Sequence, residues 1–172
     1  MTDKPWSEIV RLSELRGGLR RRLTADEPTR GRIARALDLL ALEDLTALVE
    51  AAPWRDGVRV SASWSARVVQ LCGVTLEAFE TPLAGEFTVR AAPPGSAALP
   101  SPLRLVEVDL DSEDPPDVLE GESVDLAAYV VEHLALEIDP YPRKPGATFE
   151  APPEEREESP FAVLRRLKPP GA

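Results

Sequence analysis

The most regular pattern in the chain is an alternation of apolar and polar residues over residues 58–68. Even positions carry valine, alanine or tryptophan, and odd positions carry arginine or serine. A strand with one buried face has this period of two, so the pattern predicts a long strand with Trp64 in the core. A second alternating run follows a short link, and the two runs predict an antiparallel hairpin of about residues 58–72 and 79–90.

A helix is predicted upstream of the hairpin, at about residues 28–40. Residues 26–28 provide a capping carboxylate and a proline near the first turn. Apolar residues then recur at helical spacing at Ile33, Leu37 and Leu40. In residues 45–51 the apolar side chains fall on odd positions, which favours a strand but leaves a helix open. Residues 6–25 are interpreted as short extended pieces around a glycine turn.

A second helix is predicted at about residues 124–137, where apolar residues lie three or four positions apart after Ser123, the expected N-cap. Asp139 precedes a proline and therefore ends this helix. The apolar stripe of the helix has to pack on a surface, and the apolar face of the hairpin provides one. The pattern predicts an α+β fold with a single domain, in which an antiparallel sheet is built on a long hairpin with one or two helices packed on it.

The 172 residues are enough for one domain of ordinary size. Another strand is predicted at residues 103–110, before an acidic loop. Beyond residue 150 the chain is rich in proline and glutamate, which predicts a flexible, disordered C-terminal tail at residues 150–172 and an α+β domain at residues 1–149. Within the tail, an apolar triplet predicts a short segment that docks on a partner: Phe161, Leu164 and Leu167.

Charge is distributed unevenly along the chain, whose net charge is -10. Residues 1–72 hold 12 Lys and Arg against 10 Asp and Glu, while residues 73–172 hold 8 against 20. An acidic chain does not coat nucleic acid by bulk attraction, so a basic partner fits better and no DNA partner is expected. Arginines are concentrated near the N terminus, however, and these are the candidates for contact with RNA phosphates: Arg16, Arg20, Arg21, Arg22, Arg30, Arg32 and Arg35.

The residues needed for common catalytic and metal sites are scarce. Cys72 is the one cysteine, which excludes an internal disulfide, and together with the one histidine, His133, it cannot form a structural zinc site. We therefore expect no metal, no cofactor and no catalytic residue. Cys72 is interpreted as a small buried residue because the sequence places no basic group beside it. No apolar stretch has the length of a signal peptide or a membrane span, which predicts a cytoplasmic protein without a membrane partner.

Four segments of the chain are familiar when they are taken together. They are residues 66–77, the predicted helix near residue 124, residues 139–146 and residues 160–164. The residues that make them so are Gln70, Cys72, Thr75, Glu132, Asp139, Pro140, Tyr141, Pro142 and Arg143. On these residues the chain resembles the YceD family of large ribosomal RNA accumulation proteins, in the variety found in alphaproteobacteria. The resemblance covers roughly residues 5–168.

The resemblance implies a cytoplasmic, non-catalytic factor of ribosome biogenesis that supports 23S rRNA levels and assembly of the large subunit. Such a factor would bind a ribosomal protein or a pre-50S particle, or 23S rRNA itself. An RNA-processing enzyme such as a ribonuclease, or a structural adaptor protein, is the alternative function. Many relatives carry a Cys-x-x-Cys pair at this strand end, but here Thr75 occupies the second cysteine position. A metal role is therefore not transferred to this chain.

Overall fold

A computed structural model describes residues 4–99 and 114–149 of the chain. In chain order, the elements are β1 (Ile9–Arg11), a 3-10 helix (Leu12–Leu15), β2 (Leu19–Thr24), α1 (Glu27–Ala36), β3 (Ala41–Trp54), β4 (Gly57–Leu71), β5 (Ala78–Ala92), β6 (Asp117–Val118), β7 (Ser123–Asp125) and α2 (Leu126–Glu137). The predicted α+β single domain is confirmed. The strand predicted at residues 103–110 and the tail predicted at residues 150–172 lie outside the described residues.

The main sheet has five strands in the order β2-β3-β4-β5-β6, and β1 pairs with β7 in a separate two-stranded ribbon. The predicted hairpin is confirmed, because β4 and β5 pair antiparallel along almost their whole length. Residues 45–51 belong to β3, so the strand is confirmed there and the helical alternative is wrong. One pairing departs from the predicted antiparallel arrangement, since the short β6 runs parallel to β5.

Trp64 lies in the core, as the alternation predicted, with only 4% of its surface exposed. Its neighbour on β5 is Gly85, and a Cβ atom added to Gly85 would lie 2.9 Å from the Trp64 indole. The absence of a side chain at Gly85 therefore makes the space that the indole fills. The side chains at even positions of β4 are buried on this face of the sheet, here called the core face.

Helix α1 begins as predicted and ends early. The Asp26 carboxylate accepts a hydrogen bond from the Thr29 backbone N–H at 3.0 Å. Hydrogen bonding by the Thr29 side chain and backbone lowers the pKa of that carboxyl. The helix ends at Ala36 because Asp38 has a φ of 53°, a left-handed conformation that a helix does not contain. Leu40 is therefore not on the helix, and 58% of its surface is exposed.

Helix α2 begins later than predicted because its N-cap is Asp125, and Ser123 as the cap was wrong. The Asp125 carboxylate accepts the Ala128 backbone N–H at 3.2 Å, while the residues before Asp125 pair with β1. The helix packs its apolar stripe on the core face, as predicted, with Leu126, Val130 and Leu134 fully buried. Asp139 lies just beyond the helix end, as predicted from its proline.

The opposite face of strands β2–β5 is here called the open face. Both helices bury their side chains in the core cluster on the other side of the sheet. Within residues 4–99 and 114–149, no helix or strand packs on the open face. Its side chains are mostly serine, threonine, arginine and glutamate, at odd positions of β4 and even positions of β5.

Replacing Trp64 by alanine is expected to lower the free energy of unfolding by about 3–5 kcal/mol, because it empties a filled core position. Gly85→Ala should also destabilise the protein, since its new Cβ would press on the indole, but it should cost nothing in the Trp64→Ala background. Urea denaturation of the two single variants and the double variant measures this. An equal cost for Gly85→Ala in both backgrounds would contradict the packing.

Candidate functional site

The two segments that carry most of the family resemblance touch each other at the end of β4. The first is the turn at residues 72–77, the second is the segment at residues 139–144, and their contact is here called the Cys72 junction. Three hydrogen bonds join the turn to this segment: the Gly73 N–H to the Pro142 carbonyl (2.8 Å), the Lys144 N–H to Cys72 Sγ (3.4 Å), and Lys144 Nζ to Glu77 Oε2 (2.9 Å). Just before the turn, Gln70 Nε2 adds a fourth to the Asp139 carbonyl (3.0 Å). The junction therefore connects β4 with the chain that follows α2.

Cys72 is fully buried at the centre of this junction, as its sequence interpretation required. Its Sγ accepts the backbone N–H groups of Val74, Thr75 and Lys144, each at 3.4 Å. Hydrogen bonding from the Thr75 side chain, followed by the backbone N–H groups of Lys144 and Thr75, lowers the pKa of the Cys72 thiol to about 6. These donors therefore favour the thiolate form of the sulfur.

A basic residue does stand near Cys72, contrary to the prediction from local sequence. The Lys144 Nζ lies 2.9 Å from Glu77 Oε2, and this pair lowers the pKa of Glu77 and raises that of Lys144. The charge of Cys72 also helps to raise the pKa of Lys144. No local pattern could have indicated this contact, because Lys144 comes from the segment after α2.

The chemistry of the junction is that of a structural connection. Cys72 is buried, and its sulfur is occupied by backbone donors from both segments. Among residues 4–99 and 114–149, no group of three or more His, Cys, Asp or Glu side chains could hold a metal ion. The other single candidate, His133, packs its ring on Phe87 with the centroids 4.0 Å apart. The Cys72 junction therefore fixes the fold rather than presenting a reactive group.

The remaining residues of the family resemblance divide between two places. Pro140, Tyr141 and Arg143 lie on the outside of the junction, where 81% of the Tyr141 surface is exposed. Glu132 lies on α2 instead and is exposed there. The sequence motif thus combines a structural junction with a side chain on a different surface.

The arginines of β2 alternate between the two faces of the sheet, because successive side chains of a strand point to opposite sides. Arg20 and Arg22 lie opposite Glu50 and Leu48 and so belong to the open face, where Arg20 Nε is 3.2 Å from Glu50 Oε1. Arg21 has the opposite phase and forms an ion pair with Glu8. Consecutive arginines in the sequence therefore do not form one surface.

The arginines of α1 lie on the helix side of the sheet, and each holds a nearby backbone carbonyl. Arg30 donates to the Ala25 carbonyl at 3.0 Å, Arg32 to the Pro5 carbonyl at 3.1 Å, and Arg35 to the Gly31 carbonyl at 3.2 Å. Arg16 lies in the exposed turn before β2. The structure thus does not join the seven predicted arginines in a single patch.

The open face adds polar groups that the sequence search did not select. Arg59 on β4 is exposed between Ala52 and Arg90 of the neighbouring strands. Nearby, a shallow cavity of about 310 Å³ is lined by Arg22, Thr46, Leu48, Ser63 and Ser65, among others. Arginines and hydroxyl groups are the side chains that most often contact phosphate. The alternation over residues 58–68 was the signal for Arg59, since it assigns odd positions to the polar face.

A second surface lies on the helix side of the sheet, between β6 and the start of α2. It is a cavity of about 430 Å³, here called the acidic groove, whose charged and aromatic lining residues are Lys4, Asp117, Glu120, Asp125, Tyr129 and Glu132. Ile9 and Val118 add exposed apolar surface. The Tyr129 hydroxyl donates to Asp117 Oδ2 at 2.9 Å. Burial raises the pKa of Tyr129, and the contact with Asp117 raises it further.

The acidic groove already contains one basic group of the chain itself. Lys4 Nζ lies 3.4 Å from Asp125 Oδ2, and the remaining carboxylates of the groove have no cation within ion-pair distance among the described residues. The arrangement matches a lysine or arginine side chain, whose stem packs on apolar groups while its charged end meets carboxylates. The groove can therefore accept further basic side chains.

The predicted docking residues Phe161, Leu164 and Leu167 lie outside the described residues.

No helix in the described part of the chain is long and apolar enough to cross a membrane.

Comparison with known proteins gives one match. The profile of a family described as large ribosomal RNA subunit accumulation protein YceD matches residues 60–168, which is more than half of the chain. The matched range includes the Cys72 junction and most of the acidic groove, but it begins after the arginines of β2 and α1. Neither a curated protein nor a solved structure matches the chain.

The Cys72 thiolate should make stability depend on pH. The thiol pKa is about 6 in the folded protein and 9.0 as an ordinary thiol, so the stabilisation is complete above pH 9 and is lost as the pH falls towards 6. Cys72→Ser has no such ionisation. We expect the urea midpoint of the wild type to rise relative to that of Cys72→Ser between pH 6 and pH 9 in reducing buffer. Parallel pH curves for the two proteins would show that the sulfur is not ionised.

Proposed function

The chain belongs to the YceD family, and we propose that it is a non-catalytic, cytoplasmic factor that supports 23S rRNA accumulation by binding a basic ribosomal protein of the assembling large subunit. The description of the family connects it with accumulation of large-subunit rRNA. Ribosomal RNA and the proteins that coat it accumulate together. A factor that shields a basic ribosomal protein until it is assembled would therefore support the RNA as well.

The acidic groove is the observation that supports this proposal most directly. Four carboxylates and several apolar side chains line the cavity, and among the described residues the ammonium group that lies in it is that of Lys4. Most of the groove falls within the range that matches the family. The net charge of -10 also favours encounter with a basic protein, because complementary charge raises association rates.

Direct contact with precursor rRNA is a second candidate function, and the open face favours it. Arg20, Arg22 and Arg59 lie on a sheet face that no described helix or strand covers, together with serine and threonine hydroxyls. The two functions are compatible, since the acidic groove and the open face lie on different sides of the sheet. A pull-down from lysate with and without nuclease separates them, because only association through protein survives digestion of the RNA.

Glu120→Gln with Glu132→Gln tests the acidic groove. Both side chains are exposed on its wall, so their loss should weaken binding of a lysine-rich ribosomal protein about three- to ten-fold at ~0.1 M salt, without loss of stability. The matched control is Glu14→Gln with Glu43→Gln, two exposed carboxylates outside the groove. Titration calorimetry against a purified basic ribosomal protein gives the affinities. Equal weakening by both pairs would mean that only total charge matters.

The tail segment with Phe161, Leu164 and Leu167 is proposed to dock on a partner. Deleting residues 159–172 should therefore leave the melting temperature nearly unchanged and weaken association with pre-ribosomal particles. Thermal unfolding and sedimentation with pre-50S particles measure the two effects. A large fall in melting temperature would show instead that the segment packs on the domain.

A further inference from the structure

An aromatic side chain lies among arginines at one end of the open face. Trp54 is the last residue of β3, and its position in the strand places it on the open face, where it is half-buried. The guanidinium carbon of Arg55 is 4.9 Å from the ring centroid, and that of Arg90 is 5.5 Å from it. Arg59 lies next to Arg90 in the sheet register.

The strand beside Trp54 places no side chain next to its ring. The residue opposite Trp54 on β4 is Gly57, and a Cβ atom there would lie 2.1 Å from the Ala91 carbonyl oxygen, so no larger residue fits. Two positions before Trp54 on the same face is Ala52, which is also small. Trp54 thus has small neighbours at Gly57 and Ala52, and the ring contacts described for it are with the guanidinium groups of Arg55 and Arg90.

The two arginines that contact the ring are held differently. Arg90 also donates to the Asp114 carbonyl at 3.0 Å and is therefore fixed beside the ring. Arg55 lies in the exposed turn after β3, and no described hydrogen bond or ion pair restrains it. A planar ligand can take the place of the Arg55 guanidinium on the ring, and the released guanidinium then remains close enough to contact an anion on that ligand.

We propose that the open face binds single-stranded RNA, with one base stacked on Trp54 and the adjoining phosphates contacted by Arg20, Arg55 and Arg59. Base stacking on an aromatic ring and phosphate contact by arginine are the two interactions that hold unpaired nucleic acid on a protein surface. A base inside a duplex has no free face for the ring. The inference rests on the second candidate function, contact with RNA, and adds to it the strand state of the RNA and a stacking residue.

The arginines are spaced to follow a strand across the sheet. Arg59 is on β4 and Arg20 is on β2, two strands away, which corresponds to about 10 Å at the usual strand spacing. Arg20 forms an ion pair with Glu50 on the intervening strand, so its guanidinium exchanges this carboxylate for an RNA phosphate on binding. A backbone that passes from Trp54 towards β2 meets these cations in turn.

The test uses the full chain and a fluorescein-labelled single-stranded RNA of mixed sequence, with its duplex as comparison. Trp54→Ala should weaken binding of the single strand about ten-fold without changing the salt dependence, because stacking involves no ion release. Trp54→Phe should lose less affinity than Trp54→Ala, because phenylalanine keeps an aromatic ring for stacking. Arg59→Ala should weaken binding and reduce the salt slope by about one. Its matched control is Arg67→Ala, another exposed arginine at an odd position of β4, which should change nothing.

A cross-linking measurement uses the wild-type protein alone, so its result does not depend on how a substitution affects folding. With 4-thiouridine in the same RNA, irradiation should attach the RNA to the peptide that contains Trp54. If Trp54→Ala and Trp54→Phe bind as tightly as the wild type, and Arg20→Ala with Arg22→Ala does not, the stacking residue is wrong and RNA contact stands. If Arg59→Ala and Arg67→Ala lost equal RNA affinity, the proposal that RNA binds at the Trp54 end of the open face would be wrong. If neither the wild-type protein nor any variant binds RNA, both RNA contact and stacking on Trp54 are wrong. Binding of a basic protein by the acidic groove then remains as the proposed function.

Discussion

The fold depends on burial of one face of the sheet only. The apolar side chains of β4 alternate with polar ones, so Trp64 and its neighbours point to one side, and both helices pack there. The same period of two divides the arginines of β2, because Arg20 and Arg22 are opposite in phase to Arg21. One geometric rule thus determines both where the core lies and which arginines of β2 lie on the open face. The open face is the consequence of that rule.

Two acceptor side chains hold α2 in place, namely the half-buried Asp125 carboxylate and the buried Cys72 sulfur. At its start, the Asp125 carboxylate accepts hydrogen bonds from the Ser7 hydroxyl and the Glu8 N–H as well as from the helix itself. Beyond its end, the Cys72 thiolate accepts the Lys144 N–H and so binds the chain that follows the helix. Because α2 supplies one wall of the acidic groove, these contacts also fix the position of Glu132 and Tyr129. A metal clip formed by paired cysteines would give a similar connection, and here backbone donors give it without a second cysteine.

Local patterns predicted the central elements and the packing of α2 on the hairpin, but not the boundaries that depend on distant contacts. The period of two predicted the hairpin and the burial of Trp64, since both depend only on alternation. The choice of Asp125 over Ser123 as the cap of α2 could not be predicted, because it depends on pairing between β1 and β7. Likewise, Leu40 continues a helical spacing in the sequence, yet the left-handed residue Asp38 ends the helix before it.

The candidate surfaces show the same limit more strongly. Seven arginines close together in the sequence were candidates for RNA contact, but strand phase and helix packing put them on different sides of the sheet. Conversely, Arg90 is far from Trp54 and Arg59 in the sequence, and only the strand register brings it beside them. The proximity of Lys144 to Cys72 is of the same kind, because it arises from two segments that meet only in the folded chain.

The most direct test of the division between the two sides of the sheet is an arginine footprint. The protein is treated with an arginine-specific dicarbonyl reagent, with and without single-stranded RNA, and the modified residues are identified by mass spectrometry. The account predicts that RNA protects Arg20, Arg55 and Arg59 on the open face, while the reactivity of Arg30, Arg32 and Arg35 on α1 does not change. Protection of the α1 arginines, with the open face still reactive, would contradict it.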